Sequence, residues 1–187
     1  MKAILVLSFC LLTLTATAKE TGAHVHGAAS LQVVVDGASL IFNFESPLDN
    51  LIGFERGPRS DAERAKVRAM AQRFHNGADL FVPTPEARCT LRDVQLTSAV
   101  IAPGLLAAIA DPAATNKPAD TAAAQAGGHA DLDASLRFEC EQPAALRGVD
   151  VRLFRAFGGL RQIDAAVAGP RTQRGGRLTP QRTLLSW

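Results

Sequence analysis

The segment His24-Val25-His26-Gly27 sets two of the chain's four histidines one residue apart, just before an apolar run that alternates like a strand. On an extended backbone residues i and i+2 point the same way, so His24 and His26 share a face. A second stretch, His129 to Asp133, follows the same rule and aligns His129, Asp131 and Asp133. Neutral imidazoles with one or two carboxylate oxygens form a good zinc donor set, and a water in the fourth position keeps the metal exchangeable. If the strands carrying the two patterns are neighbours, these donors converge on the polar side of one sheet. Imidazole ligation requires neutral rings, so zinc affinity at such a site falls as pH drops through about 6.5. The same residues also read as plain solvation: polar groups beside a chain terminus, and the wet face of a strand.

Little else in the sequence suggests chemistry. His75 lies at the end of a helical pattern, where its charge favours the macrodipole, and reads as a C-terminal capping residue rather than a ligand. Asp131 and Asp133 have no apparent nucleophile partner, and no G-x-S-x-G, H-E-x-x-H or glycine-rich phosphate loop occurs. The expectation is a protein that is not an enzyme. No basic patch interleaved with aromatics points to nucleic acid.

Compartment follows from the first residues. Lys2, an apolar stretch from Ala3 to Leu14 and Ala16-Thr17-Ala18 make a secretory signal peptide, too short in its apolar part to span a bilayer. A lipoprotein reading at Cys10 fails because Phe9 is too large for the cleavage position. Cleavage after Ala18 leaves 187 − 18 = 169 residues, with 20 − 1 = 19 basic against 18 acidic side chains. That remainder offers no membrane-inserting segment. It keeps two cysteines, Cys89 and Cys140, and an even count in an exported chain argues for one disulfide over a metal-binding cysteine pair. Residues 19–187 are expected to form one exported domain.

The elements that must position these residues are legible in outline. Leu31, Val33 and Val35 alternate up to a turn at Asp36-Gly37, and Ser39 to Glu45 returns as a second strand that Pro47 stops. Ser60 to Glu63 has the capping-box pattern, and Val67, Met70 and Phe74 recur at helical spacing from Ala62 to Phe74. Cys89 to Ile101 reads as a strand of imperfect alternation, and residues 103–128, rich in Ala, Pro, Thr, Asp and Gly, as a long flexible loop. His129 to Cys140 alternates strictly and sends Cys140 to the core side. Gln142 to Arg147 makes one helical turn, while Val149 to Phe154, Gln162 to Val167 and a Thr179 to Leu185 edge complete the strands. The expected fold class is α+β: a mostly antiparallel sheet with one principal helix packed on one face, and one disulfide.

The stretch from His24 to Glu55, "HVHGAASLQVVVDGASLIFNFESPLDNLIGFE", resembles the opening of the zinc-regulated periplasmic zinc-uptake family (the ZrgA type, formerly a domain of unknown function). Cys89, "HADLDASLRFEC" from His129 to Cys140, "LFRAFGGLRQI" from Leu153 to Ile163 and the terminal Leu185-Ser186-Trp187 match the family in the same order. The resemblance implies a periplasmic zinc-binding accessory to high-affinity import, working beside an ABC-type zinc uptake system. By position it assigns His24, His26 and His129 as ligands; Asp131 and Asp133 come from face geometry alone. Two departures stand out. Where the family continues G-F-E with histidine, this chain has Arg56, whose guanidinium cannot ligate zinc. Where the family carries a His/Asp-rich tract before its second Cys-bearing strand, residues 103–128 hold no histidine. The alternative is a non-catalytic periplasmic interaction module that has kept the fold and lost the metal.

Overall fold

A computed structural model describes residues 26–107, 130–170 and 172–187. The expected signal sequence, His24, His129 and most of the expected loop lie outside the described residues. The strands are β1 (Ala28–Asp36), β2 (Ser39–Pro47), β3 (Phe81–Pro83), β4 (Cys89–Thr97), β5 (Asp131–Cys140), β6 (Gly148–Val151), β7 (Gln162–Gly169), β8 (Thr172–Leu178) and β9 (Leu184–Ser186). The helices are α1 (Asp49–Ile52), α2 (Asp61–His75), α3 (Pro103–Leu106) and α4 (Leu153–Ala156). Six strands form one sheet in the order β4-β5-β2-β1-β7-β8, and β3, β6 and β9 form a second. Every pairing is antiparallel except β1 with β7. This is the α+β arrangement expected, with the strands divided between two sheets.

Alternation explains which face of the large sheet is covered. Leu31 and Val33 on β1, Leu40, Phe42 and Phe44 on β2, and Leu132, Leu136 and Phe138 on β5 are buried on one side. Against that side pack α2 and the small sheet. Phe74 of α2 meets Phe44 at 5.8 Å and stacks on Phe157 at 5.4 Å; Phe81 of β3 stacks on Phe42 at 4.6 Å, and Phe138 meets the same ring edge-on at 5.4 Å. These are favoured aromatic separations. The opposite face carries Ser30, Gln32, Asn43, Glu45, Asp133 and Ser135, and no described element packs on it.

The covalent prediction holds. Cys89 and Cys140 sit directly opposite on β4 and β5 and form the disulfide. The imperfect alternation of β4 has a local cause: a bulge between Leu91 and Asp93 admits Arg92 as an extra residue.

Five expectations need correction. Residues 98–101 leave the strand, and Pro103 to Leu106 is a helical turn rather than loop, because Leu106 is drawn into the core. Leu153 and Phe154 belong to α4, not to β6. His75 does not cap its own helix. Its Nε2 donates to the Leu106 carbonyl at 2.8 Å, tying α2 to α3, while the Asn76 amide closes α2 on the Gln72 carbonyl. The closing edge strand is shorter than Thr179 to Leu185, because only Leu184–Ser186 aligns with β6.

Arg56 has a structural task in this chain. Its guanidinium grips both carboxylate oxygens of Glu63 at 2.7 and 2.9 Å, with its charge over the Phe54 ring. Glu63 also accepts from the Arg59 amide, and its own amide donates to Ser60 Oγ, so the capping box and the loop before it are locked together. The Arg56 hydrogen bond, then that of the Arg59 amide, lowers the Glu63 carboxyl to about 2. A carboxyl depressed in the folded state contributes stability that is fully present above its unfolded value of roughly 4.3 and is lost as pH falls through the folded one. The stability advantage of wild type over Glu63→Gln should therefore be constant above pH 5 and shrink between about pH 4.5 and 2. Urea melts across that range would read it, and a gap that does not change with pH would refute the assignment.

Candidate metal centre

The site is built at one end of the large sheet, where β1 begins, β2 ends and β5 begins. Pro47 has no amide to donate, which suits the last position of a strand, and the chain turns directly into α1. That turn places two side chains back over the start of β1. Asp49 Oδ2 lies 2.9 Å from His26 Nδ1. Asn50, only 3 % exposed, accepts from the Gly27 amide at 2.6 Å and donates to the Ala28 carbonyl at 2.8 Å and to Ser46 Oγ at 3.2 Å.

The glycines flanking this knot are required by contact. Gly27 has φ of +84°, and a Cβ there would meet Arg161 Cγ at 2.7 Å. Its carbonyl accepts from the Arg161 and Gln162 amides at 2.7 and 3.0 Å. A Cβ on Gly159 would lie 2.4 Å from the Asn50 carbonyl oxygen. Three separated pieces of sequence, His26-Gly27, Asp49-Asn50 and Gly159-Leu160-Arg161, thus close on one another and fix the backbone that carries His26.

The Asp49 contact decides what His26 can do. An ionised carboxylate only accepts, so the proton of a neutral imidazole sits on Nδ1 and the lone pair on Nε2. The ring is 71 % exposed, so Nε2 is available as a metal donor. A carboxylate behind an imidazole is the common arrangement for a zinc-ligating histidine. In this respect the residues present fit zinc.

The two expected carboxylates are placed less directly. β1 and β5 are not neighbours, because β2 lies between them. That overturns the side-by-side reading and sets their backbones two strand spacings apart, about 10 Å. The link is made at the strand ends instead. Asp131 pairs with Pro47, and the Leu48 amide donates to the Ala130 carbonyl at 2.9 Å, so the start of β5 is tied to the residue before Asp49. Asp131 and Asp133 share the outer side of β5, as the alternation predicts.

Asp133 stands opposite Glu45 on β2 and opposite Thr97 on β4, at the wall of a shallow groove of about 330 Å³ that Asn43 and Ser135 also line. Partial desolvation at that wall, then the charges of Glu45 and Asp131, hold the Asp133 carboxyl above its ordinary range. Like charges directly opposite on paired strands are unfavourable. No group of three or more His, Cys, Asp or Glu side chains able to hold a metal occurs among the described residues. The two remaining expected ligands, His24 and His129, lie outside the described residues.

Sequence reasoning missed Asp49, Asn50 and Glu45. Asp49 and Asn50 had a signal: an acid and an amide following a strand-ending Ser46-Pro47, where freed backbone groups need partners. None of the curated proteins matches the chain. The family described as ZrgA family zinc uptake protein matches residues 23–187, which include both histidine motifs, both cysteines and the Asp49-Asn50 turn. The chain belongs to the ZrgA family of zinc uptake proteins.

Proposed function

We propose that this protein is a periplasmic, non-catalytic zinc-binding accessory of zinc uptake, exported by a signal peptide cleaved after Ala18. In this reading it works beside an ABC-type importer. The observation that carries the proposal is the exposed His26 imidazole, held through Nδ1 by Asp49, in a member of a zinc uptake family. His26, His24 and His129 are the imidazole donors, and Asp131 or Asp133 completes the set with an oxygen. No helix among the described residues is long and apolar enough to cross a membrane.

The test is calorimetric titration of zinc into Lys19 to Trp187 with any histidine tag removed. One equivalent is expected. His26→Ala should weaken it by at least about 100-fold, the upper end of what losing even an orienting partner costs, and His129→Ala by a similar factor. Binding unchanged in both variants would reject the site.

A second reading, an interaction module without metal, is favoured by Arg56 standing where the family has histidine and being fully engaged with Glu63. It predicts no zinc heat at all and no zinc-dependent change in Tm.

A further inference from the structure

Away from the histidine end, three arginines line one open cleft of about 370 Å³ between the C-terminal end of α2 and α4: Arg73, Arg152 and Arg155. Asp79 and Asn76 are the polar neighbours, and Leu80 and Ala156 supply an apolar wall. The lining side chains therefore carry 3 − 1 = +2. Asp150, paired with Arg152 and within electrostatic reach of Arg155, reduces the local excess to 3 − 2 = +1, and most of the guanidinium N–H groups have no acceptor among the described residues.

Arg73 donates one N–H to the Ala156 carbonyl and lies over the Phe157 ring. Arg152 donates its Nε–H to Asp150 Oδ2 at 2.8 Å, and Asp150 is itself fixed by Thr183 Oγ1 at 2.6 Å. A guanidinium offers five N–H donors. Among the described residues nothing accepts from the terminal nitrogens of Arg152, and Arg155 has no ion pair. Two of the three groups are thus immobilised on one side and open on the other, so their side-chain entropy is already spent.

We propose that this cleft is an oxyanion site, taking the carboxylate or phosphate group of a small anion. The planar fork of Arg152 matches either group in a bidentate pair, and Arg155 supplies the second cation. Nothing in the site uses zinc or the histidines, so the proposal stands independently of the metal reading.

The test is an amide NMR titration of metal-free Lys19 to Trp187 with succinate and, separately, inorganic phosphate, with sodium chloride at matched ionic strength as the control. Saturable shifts confined to residues 76–80 and 152–157 are expected with at least one of the two anions, and which one binds identifies the ligand class. Arg155→Gln, which breaks no described side-chain hydrogen bond or ion pair, should weaken binding about tenfold, the loss of a charged hydrogen bond. Arg155→Glu should abolish it. No saturable shift with either anion, equal shifts with chloride, or unchanged affinity in Arg155→Gln would overturn the site.

Discussion

Replacing Cys89 and Cys140 together by alanine should lower the unfolding free energy by roughly 4 kcal/mol, on the chain-entropy account of a cross-link. The bridge spans a sequence separation of 51 residues, and most of what it removes is freedom of the unfolded chain. The folded state loses little beyond the packing of Cys140, which is 4 % exposed. Urea melts should show two changes at once: a lower midpoint, and a steeper denaturant dependence because the uncrosslinked chain exposes more surface when unfolded. Cys140 and Asp131 occupy opposite ends of β5, nine residues or about 30 Å apart on an extended strand. Zinc affinity measured well below Tm should therefore not change in the variant. A stability loss under about 1 kcal/mol, or an unchanged slope, would show that the bridge does not act by restricting the unfolded chain.

What could be read from the chain divides along physical lines. β5 was legible because Leu132, Ala134, Leu136 and Phe138 alternate without a break, and its buried pattern follows that alternation. The start of α2 was legible because Ser60 and Glu63 satisfy orphan backbone donors by a local rule. β8 was not. It lies at a sheet edge, buries only Leu178 and meets β7 through the backbone ladder and the Arg177–Asp164 ion pair, so Gln173 to Arg177 carry no apolar signal. The parallel pairing of β1 with β7 and the division into two sheets depend on contacts between distant segments, which no local pattern encodes.

The site divides in the same way. The facing expected of His24 with His26 lies outside the described residues, whereas that of Asp131 with Asp133 follows from strand geometry. The strand between the two motifs does not, and β2 intervenes. Asp49 and Asn50 were visible only as polar residues after a proline. Their importance comes from Gly27 and Gly159 approaching from elsewhere in the chain.

That dependence makes Asn50→Ala the most informative single change near the histidines. The side chain makes three hydrogen bonds in a buried place, to the Gly27 amide, the Ala28 carbonyl and Ser46 Oγ. Alanine would leave these groups without their partner where water has poor access, because the Gly159 backbone packs against Asn50. The expected cost is about 3–5 kcal/mol, at roughly 1–3 kcal/mol for each stranded group with partial relaxation. Asn50→Asp should not rescue it: the new oxygen would face the Ala28 carbonyl in place of a donor. The Gly27 amide reports the effect locally, since its only described acceptor is Asn50 Oδ1, so its hydrogen exchange should accelerate by more than global destabilisation accounts for. On the zinc-accessory reading the metal is affected too. Asp49 and the backbone of His26 are both anchored by this knot, and loosening it should weaken zinc binding about tenfold while leaving the number of sites unchanged. Asn50→Ala with wild-type zinc affinity and a destabilised fold would show that the knot serves the fold alone, and that His26 needs no fixed backbone to bind.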